Sequence, residues 1–119
     1  SKVTCKVPVS PSHLRAIQDG MLGVTTEATG TGEFLFRHFS WQVAGKTGTA
    51  QNPGVLPHAW FAAIAPFQAP RIAIAVVLEN AGEGSTVAGP VARAGLQAYL
   101  NEITPVVAGG AQPLSVPGG

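Results

Sequence analysis

The ten residues WQVAGKTGTA at Trp41–Ala50 predict a β-strand, with glycines where a neighbouring backbone or a ligand could come close. The turn at Asn52–Gly54 ends this strand, and two further apolar runs follow at Ala59–Ala65 and Arg71–Glu79. Because the connections between the runs are short, they favour an antiparallel meander of about three strands. The third run is apolar on both of its alternating faces, so we expect helices to cover both sides of the sheet.

Two helices are predicted to flank these strands. Before them, Ser10 can cap the free amides of a helix that begins at Pro11. After them, a final helix with Gly89 or Thr86 as its cap reaches Leu100. The fold class is therefore α+β, an antiparallel sheet flanked by helices. In the first helix, the residues predicted to share one apolar face are Leu14, Ile17, Met21 and Val24. In the last helix, a narrow face of small residues is predicted to approach the sheet closely and comprises Val91, Ala94, Gly95 and Ala98.

The rest of the chain is predicted to be loop, core cluster and tail. Thr25–Gly32 has no hydrophobic period and is predicted to be a loop. The cluster that follows is predicted to belong to the core and comprises Phe34, Phe36, Phe39 and Trp41. Residues 104–119 carry no charge and are predicted to form a flexible Pro/Gly-rich tail behind the folded residues 1–103.

Charged residues are unusually few for a soluble domain. They make up 11% of the 119 residues, against about 25% on average, and the formal net charge is +1. Because so few charges cannot cover a small free-standing domain, we expect much of the surface to pack against another domain or chain. The alternative is a small hydrophobic domain of low solubility. No cluster of basic residues is dense enough to neutralise a nucleic-acid backbone, so no nucleic-acid partner is predicted.

The sequence predicts neither a metal site nor a membrane span. His13, His38 and His58 have no Glu or Cys companions at metal-ligand spacing, and the single Cys5 excludes an internal disulfide and a cysteine-based zinc site. The longest strongly apolar, uncharged run, Ile72–Leu78, is far shorter than the roughly 18 to 20 residues that cross a bilayer. No cofactor is predicted.

The Gly-Lys-Thr sequence inside Ala44–Ala50 is shared by two chemistries. A phosphate-binding loop needs a first glycine separated from Gly-Lys-Thr by four residues, and a helix that starts at the lysine. Here the position of that first glycine holds Ser40, and the residues after Lys46 are poor helix formers that lead into a turn. Both the pattern and its context therefore argue against nucleotide binding.

Lys-Thr-Gly on a strand is one of three standard elements of the penicillin-recognising enzymes, which transfer acyl groups through a serine. On such a strand the backbone amide of Thr49, next to the small Gly48, can hold the oxyanion of a tetrahedral intermediate. Lys46 supplies a charge that orients hydroxyls and attracts a substrate carboxylate, to which Thr47 and Thr49 offer hydroxyl donors. Three residues are a weak match by themselves. The alternative interpretation, an ordinary strand lysine with flanking threonines and no catalytic role, therefore stays open at this point.

A longer series of motifs, from about Ser10 to Leu100, carries a family resemblance. In chain order these motifs are Asp19-Gly20-Met21, Gly30-Thr31-Gly32, Val43–Gln51, His58–Phe61, Ile72–Val77 with Glu79-Asn80, and Ala88–Val91. They resemble those of the class B penicillin-binding proteins, D,D-transpeptidases that cross-link peptidoglycan, and most of all the elongation type. The resemblance implies a serine β-lactamase/penicillin-binding-protein-like fold. It assigns Lys46 to the catalytic hydrogen-bond network, Thr47, Gly48 and Thr49 to the substrate or β-lactam, and the Thr49 amide to the oxyanion hole.

Two elements of the family pattern are absent from this sequence. No serine is followed three residues later by lysine, the Ser-x-x-Lys arrangement that provides the nucleophile and a nearby base, and Ser-x-Asn is missing too. In the family both precede the Lys-Thr-Gly strand. The resemblance therefore implies that residues 1–103 are the C-terminal part of a transpeptidase domain, whose N-terminal half is a partner absent from this chain and carries the nucleophile.

The resemblance also implies ligands, partners and a location. The ligands are peptidoglycan stem peptides and β-lactams, and the partners include membrane cell-elongation proteins. The location is the extracytoplasmic face of the bacterial membrane, with the anchor outside this chain. Two alternatives stay open: a serine β-lactamase or β-lactam sensor fragment, against which Gly30–Gly32 and Glu79-Asn80 argue, and a non-catalytic interaction module.

Overall fold

A computed structural model describes residues 2–103, so the predicted tail at 104–119 lies outside the described residues. In chain order the elements are α1 (Pro11–Thr26), α2 (Glu33–Phe36), β1 (Ala44–Ala50), β2 (His58–Ala65), β3 (Ile72–Leu78), a π-helical turn (Gly84–Ala88, called the π turn below) and α3 (Gly89–Ile103). Within residues 2–103, no helix has both the length and the apolar character needed to cross a membrane.

The three strands form one antiparallel sheet in the order β1-β2-β3, which confirms the predicted meander and the α+β class. Gly48 of β1 lies opposite Trp60 of β2, and Trp60 lies opposite Val77 of β3. β1 pairs with one neighbour only in this sheet and is therefore an edge strand of the described structure. The Lys-Thr-Gly sequence thus lies on a strand, as predicted, and on the edge of the sheet.

The start of β1 differs from the prediction. The strand begins at Ala44 rather than at Trp41. At the preceding residue the Val43 carbonyl accepts a hydrogen bond from the Thr25 hydroxyl of α1. This side-chain donor satisfies the carbonyl that a strand neighbour would otherwise pair with. The same contact joins the end of α1 to the beginning of β1.

One face of the sheet is buried beneath α2, the π turn and α3. The side chains of this core are Leu35, Phe36, Trp41, Val43, Ala59, Phe61, Ala63, Ala65, Ala88, Ala92, Leu96 and Leu100. Phe36 and Trp41 therefore belong to the core, as predicted, and Phe39 packs against it. Phe34 does not, since it is 55% exposed. The short helix α2 was not predicted. It directs Leu35 and Phe36 into the core, and the helical period then directs Phe34 away from the core.

The opposite face of the sheet is open in the described part of the chain. Its exposed members are Lys46, Trp60, Ala62, Ala73, Ala75 and Val77. Trp60 and Val77, which pair across β2 and β3, are each 46% exposed. The expectation that helices cover both faces is therefore wrong for residues 2–103, because their helices leave this face uncovered. We call it the open face below.

Helix α1 begins as predicted and ends later. The Ser10 side chain accepts a hydrogen bond from the His13 amide at 3.3 Å, and Pro11 occupies the first turn. The helix continues to Thr26, so the first two residues of the predicted loop are helical. Its predicted apolar face is covered in part: Leu14 and Ile17 are exposed, at 43% and 56%, whereas Met21 and Val24 are partly buried. The described residues therefore cover the C-terminal half of this face, where Val24 lies beside Gly32, and leave its N-terminal half uncovered.

Helix α3 buries a different face from the predicted one. Its buried residues are Gly89, Ala92, Leu96 and Leu100, whereas Val91, Ala94 and Ala98 are exposed. Of the four residues predicted to approach the sheet, only Gly95 does so: a Cβ there would lie 2.7 Å from Ile74 Cδ1. Neither proposed cap is correct, because the π turn contains Thr86 and leads directly into helical Gly89. Small residues occur all round this helix, so composition could not single out the buried face.

Candidate active site

Lys46 lies on β1, and its side chain is exposed on the open face. Its Nζ donates a hydrogen bond to the carbonyl oxygen of the neighbouring Thr47 at 2.5 Å. Among residues 2–103 the amine takes part in no ion pair, since the one salt bridge there joins Arg37 to Glu33. The charge of Lys46 is therefore free to act on a group that approaches the edge of the sheet.

Thr47 is hydrogen-bonded to Thr31. The sequence placed Thr31 in the Gly30-Thr31-Gly32 motif but did not predict its contact with β1. The Thr31 and Thr47 hydroxyl oxygens are 2.9 Å apart and share a hydrogen bond. Two hydroxyls, each able to donate and to accept, therefore stand side by side next to Lys46. The only sequence signal for this contact was the presence of Thr31 between two glycines.

Those glycines position Thr31. The Gly32 amide donates to the Val24 carbonyl at 2.9 Å, and the Gly30 amide donates to the Glu27 carbonyl at 2.8 Å. A Cβ on Gly30 would lie 2.6 Å from the Gly23 carbonyl oxygen, closer than real Cβ atoms approach backbone. Only glycine lets the loop pack this tightly onto the end of α1. The loop consequently holds the Thr31 hydroxyl against β1.

Gly48 and Thr49 lie where the π turn meets the strand. The Gly84 amide donates to Thr49 Oγ1 at 3.3 Å. A Cβ on Gly48 would lie 3.1 Å from the Trp60 Cβ, so a side chain there would crowd the cross-strand neighbour. Because β1 is an edge strand, alternate backbone amides along it have no partner on β2 and face outward. The sequence did not identify Gly84 as a support for Thr49, and nothing local to Gly84 signals it.

An open cavity of about 400 Å³ lies between α1 and β1. Its lining includes Lys46, Thr47 and Thr31, together with Asp19 of α1 and Glu27, the C-cap of that helix. The volume falls within the range of about 300–1,000 Å³ that is usual for ligand sites. The strand that carries Lys-Thr-Gly therefore borders a space large enough for a substrate group.

Other ionisable side chains of the described chain make contacts away from this cavity. Within residues 2–103, no group of three His, Cys, Asp or Glu side chains is placed to hold a metal ion. His58 instead accepts the Asn80 amide on Nδ1 at 3.0 Å, which fixes the turn after β3. The guanidinium of Arg37 hydrogen-bonds Glu33 at 2.7 Å; this bond lowers the pKa of Glu33 and raises the pKa of Arg37.

The fold and this arrangement define a class of protein. An antiparallel sheet with helices on its buried face, an edge strand bearing Lys-Thr-Gly-Thr with Lys46 and Thr49 exposed, and an adjoining hydroxyl-lined cavity are features of the β-lactamase-like, penicillin-recognising fold. The chain belongs to the family of penicillin binding protein transpeptidase domains, whose family model matches residues 1–97. The resemblance to class B penicillin-binding proteins of the elongation type is thereby confirmed.

Individual relatives agree with this assignment. The peptidoglycan D,D-transpeptidase MrdA of Haemophilus influenzae is 41% identical over 107 residues, which cover 77% of this chain and 16% of MrdA. The crystal structure of Pseudomonas aeruginosa PBP2 in complex with WCK 5153 superposes with a TM-score of 0.74 at 35% identity, covering 92% of this chain and 24% of PBP2. The complex between PBP2 and MreC from Helicobacter pylori gives 0.67 at 30% identity, covering 79% and 19%. The chain thus spans less than a quarter of each of these proteins.

Proposed function

We propose that this chain is part of a peptidoglycan D,D-transpeptidase that cross-links stem peptides by serine acyl transfer and is acylated by penicillin. The observation that carries the proposal is the exposed Lys46–Thr49 edge of β1 beside an open cavity. The family match and the names of the relatives support the same reaction. The nucleophilic serine comes from polypeptide outside these residues, since no Ser-x-x-Lys occurs among them.

The proposed chemistry has two acyl-transfer steps. The serine oxygen attacks the carbonyl carbon of the penultimate residue of a donor stem peptide, and the terminal amino acid leaves as the free amine. The amino group of a second stem peptide then attacks the serine ester, forms the cross-linking amide and returns the proton and the oxygen to serine. With a β-lactam, the ring amide opens in the first step and no amine completes the second.

Each residue of the β1 edge has a role in this proposal. The Thr49 amide donates to the oxyanion that forms on the attacked carbonyl, an interaction worth about 3–4 kcal/mol in related sites. Gly48 keeps the approach to that amide clear, since it carries no side chain. The Lys46 ammonium and the hydroxyls of Thr47 and Thr49 bind the carboxylate at the end of the donor peptide or on the β-lactam. Thr31 orients Thr47 through their shared hydrogen bond.

The open face supports the proposal that the rest of the domain packs on this chain. Trp60 and Val77 are half-exposed apolar side chains on paired strands, with exposed alanines around them. An apolar patch of this kind on a sheet is typical of a buried interface rather than of a free surface. The low charge content, 11% of residues, fits the same interpretation. We propose that the N-terminal half of the transpeptidase domain covers this face.

The location and partners follow from the proposed reaction. Peptidoglycan lies outside the cytoplasmic membrane, so the enzyme acts on the extracytoplasmic face, held by an anchor outside this chain. The PBP2–MreC complex from Helicobacter pylori supports a membrane cell-elongation protein as a partner. Stem peptides and β-lactams are the proposed ligands, and the site requires no metal or other cofactor for the chemistry above.

Labelling with a fluorescent penicillin tests the proposal. The intact protein that contains this chain is incubated with the reagent, denatured, digested and mapped. We expect a stable acyl-serine on a peptide outside residues 1–119. Rapid turnover of the β-lactam with release of the hydrolysed product would indicate a β-lactamase. The absence of any label would favour the non-catalytic interaction module, and a label on a serine within residues 1–119 would contradict the proposed division of roles.

A further inference from the structure

The turn after β3 is bonded at three successive amides to the residues where β2 begins. The Asn80 amide donates to His58 Nδ1 at 3.0 Å. The amides of Ala81 and Gly82 both donate to the Pro57 carbonyl at 3.0 Å. Asn80 adopts φ 52°, a left-handed conformation that asparagine tolerates but most side chains avoid. The bonds to residues 57 and 58 hold the turn in this conformation.

Two side chains fix Asn80 from outside the turn. His58 accepts its backbone amide, and the Asn52 side-chain amide donates to its Oδ1 at 2.9 Å. His58 is the first residue of β2 and pairs with Ala50 of β1, so the strand ladder sets its place independently of the turn. The sheet therefore determines, through His58, the direction in which the chain leaves β3.

The anchored turn leads directly into the π turn, which contacts the Lys-Thr-Gly-Thr strand. The π turn begins at Gly84, two residues after Gly82, and the Gly84 amide donates to Thr49 Oγ1 at 3.3 Å. The Gly84 backbone packs closely on the paired residues Gly48 and Trp60. Because no gap separates this turn from the ladder, a shift of its first residue changes the bond to Thr49.

The bond from Gly84 bears on what the Thr49 hydroxyl can do. A hydroxyl has one hydrogen to donate and two lone pairs that accept. Since Thr49 Oγ1 accepts the Gly84 amide, its own hydrogen remains free to donate elsewhere. Thr49 is exposed at the edge of the sheet, and in the proposed function its hydrogen is donated to the carboxylate of the donor peptide or the β-lactam.

We propose that His58 is a positioning residue for carboxylate recognition: through Asn80 and the π turn it sets the direction of the Thr49 hydroxyl. This role rests on the proposed function and adds to it a residue that touches neither the substrate nor the reacting atoms. The consequence is selective. Loss of the His58 acceptor weakens the recognition of a carboxylate more than it weakens attack on the β-lactam ring.

Acylation of the intact transpeptidase by benzylpenicillin and by its methyl ester tests this role. The ester keeps the β-lactam ring but lacks the negative carboxylate, so the ratio of the two second-order acylation rate constants measures carboxylate recognition. His58→Leu removes the acceptor and should lower this ratio by at least about threefold. His58→Asn should keep the wild-type ratio within about twofold. Asparagine Oδ1 is as many bonds from Cα as histidine Nδ1 and can accept the same amide.

Two further variants separate positioning from a general structural role. Thr49→Val removes the hydroxyl through which His58 acts, so adding His58→Leu to it should change the ratio by less than about twofold. His38→Leu is the matched control, because His38 is an exposed histidine that lies outside these bonds, and it should keep the wild-type ratio. If His58→Leu does not fold, His58→Ala is measured in its place against the same thresholds.

The outcomes are distinct. Equal slowing of both reagents in His58→Leu would show a merely structural role and overturn the inference. A full loss of the ratio in His58→Asn, or an undiminished effect of His58→Leu in the Thr49→Val background, would overturn it as well. Failure of benzylpenicillin to acylate the wild-type protein would instead overturn the proposed function. A wild-type ratio near one would overturn the carboxylate-binding role of Thr49 within that function.

Discussion

Gly84→Ala tests the contact between the π turn and β1. Gly84 is buried, and its backbone packs over the paired residues Gly48 and Trp60. An added methyl group would lie 2.8 Å from the Gly48 nitrogen, with the carbonyl oxygens of Gly48 and Trp60 closer still. All three are backbone atoms of a paired ladder, so they cannot swing aside as the end of a flexible side chain can. The π turn must therefore move away from β1.

The expected loss of stability has two parts. Overpacking of a close contact costs typically about 1–3 kcal/mol. Movement of the turn also breaks the hydrogen bond from the Gly84 amide to Thr49 Oγ1, which contributes about 1 kcal/mol. We therefore expect the free energy of unfolding to fall by about 2–4 kcal/mol. Gly20→Ala is the control, because a Cβ there meets nothing within 4 Å and alanine favours a helix by about 0.5–1 kcal/mol.

Both variants are measured in the intact protein by denaturant unfolding, with penicillin acylation as a second readout. Gly84→Ala should lower the unfolding midpoint and slow acylation, since Thr49 loses a support. Gly20→Ala should leave the midpoint unchanged or raise it. A Gly84→Ala protein within about 0.5 kcal/mol of wild type would show that the π turn does not pack on Gly48 as described, and would refute the reasoning.

Three further substitutions test other contacts in the intact protein. Lys46→Ala should slow penicillin acylation by about 100-fold or more without changing the melting temperature; an unchanged rate would remove Lys46 from the mechanism. Thr31→Val should break the bond to Thr47 and cost about 1 kcal/mol in both unfolding and acylation free energy, read by thermal melts and acylation rates. Val77→Asp on the open face should lower the melting temperature by several degrees, as a buried charge does, whereas Ala94→Asp on the exposed side of α3 should not; equal effects would argue that the open face is solvated.

Much of the fold could be predicted because its signals are local. The cap at Ser10 and the turn at Asn52–Gly54 set boundaries of α1 and β1 within a few residues of the observed ones. The apolar run Ile72–Leu78 predicted a strand, and short connections predicted the antiparallel order. The errors arose where one pattern allowed two outcomes. Both faces of β3 are apolar, so alternation could not tell which face the helices of this chain cover.

The site divides in the same way. The amino-acid sequence alone predicted that Lys46 to Thr49 lie on a strand, because the signal is local to Trp41–Ala50, and the longer series of motifs from about Ser10 to Leu100 indicated the penicillin-recognising type. Only the tertiary structure decided that Thr31 reaches Thr47, that Gly84 supports Thr49, and that Asp19 of α1 lines the same cavity as Lys46. Such contacts join residues 16 to 35 positions apart. They depend on how helices and strands pack against one another, which the period and composition of a single segment do not specify.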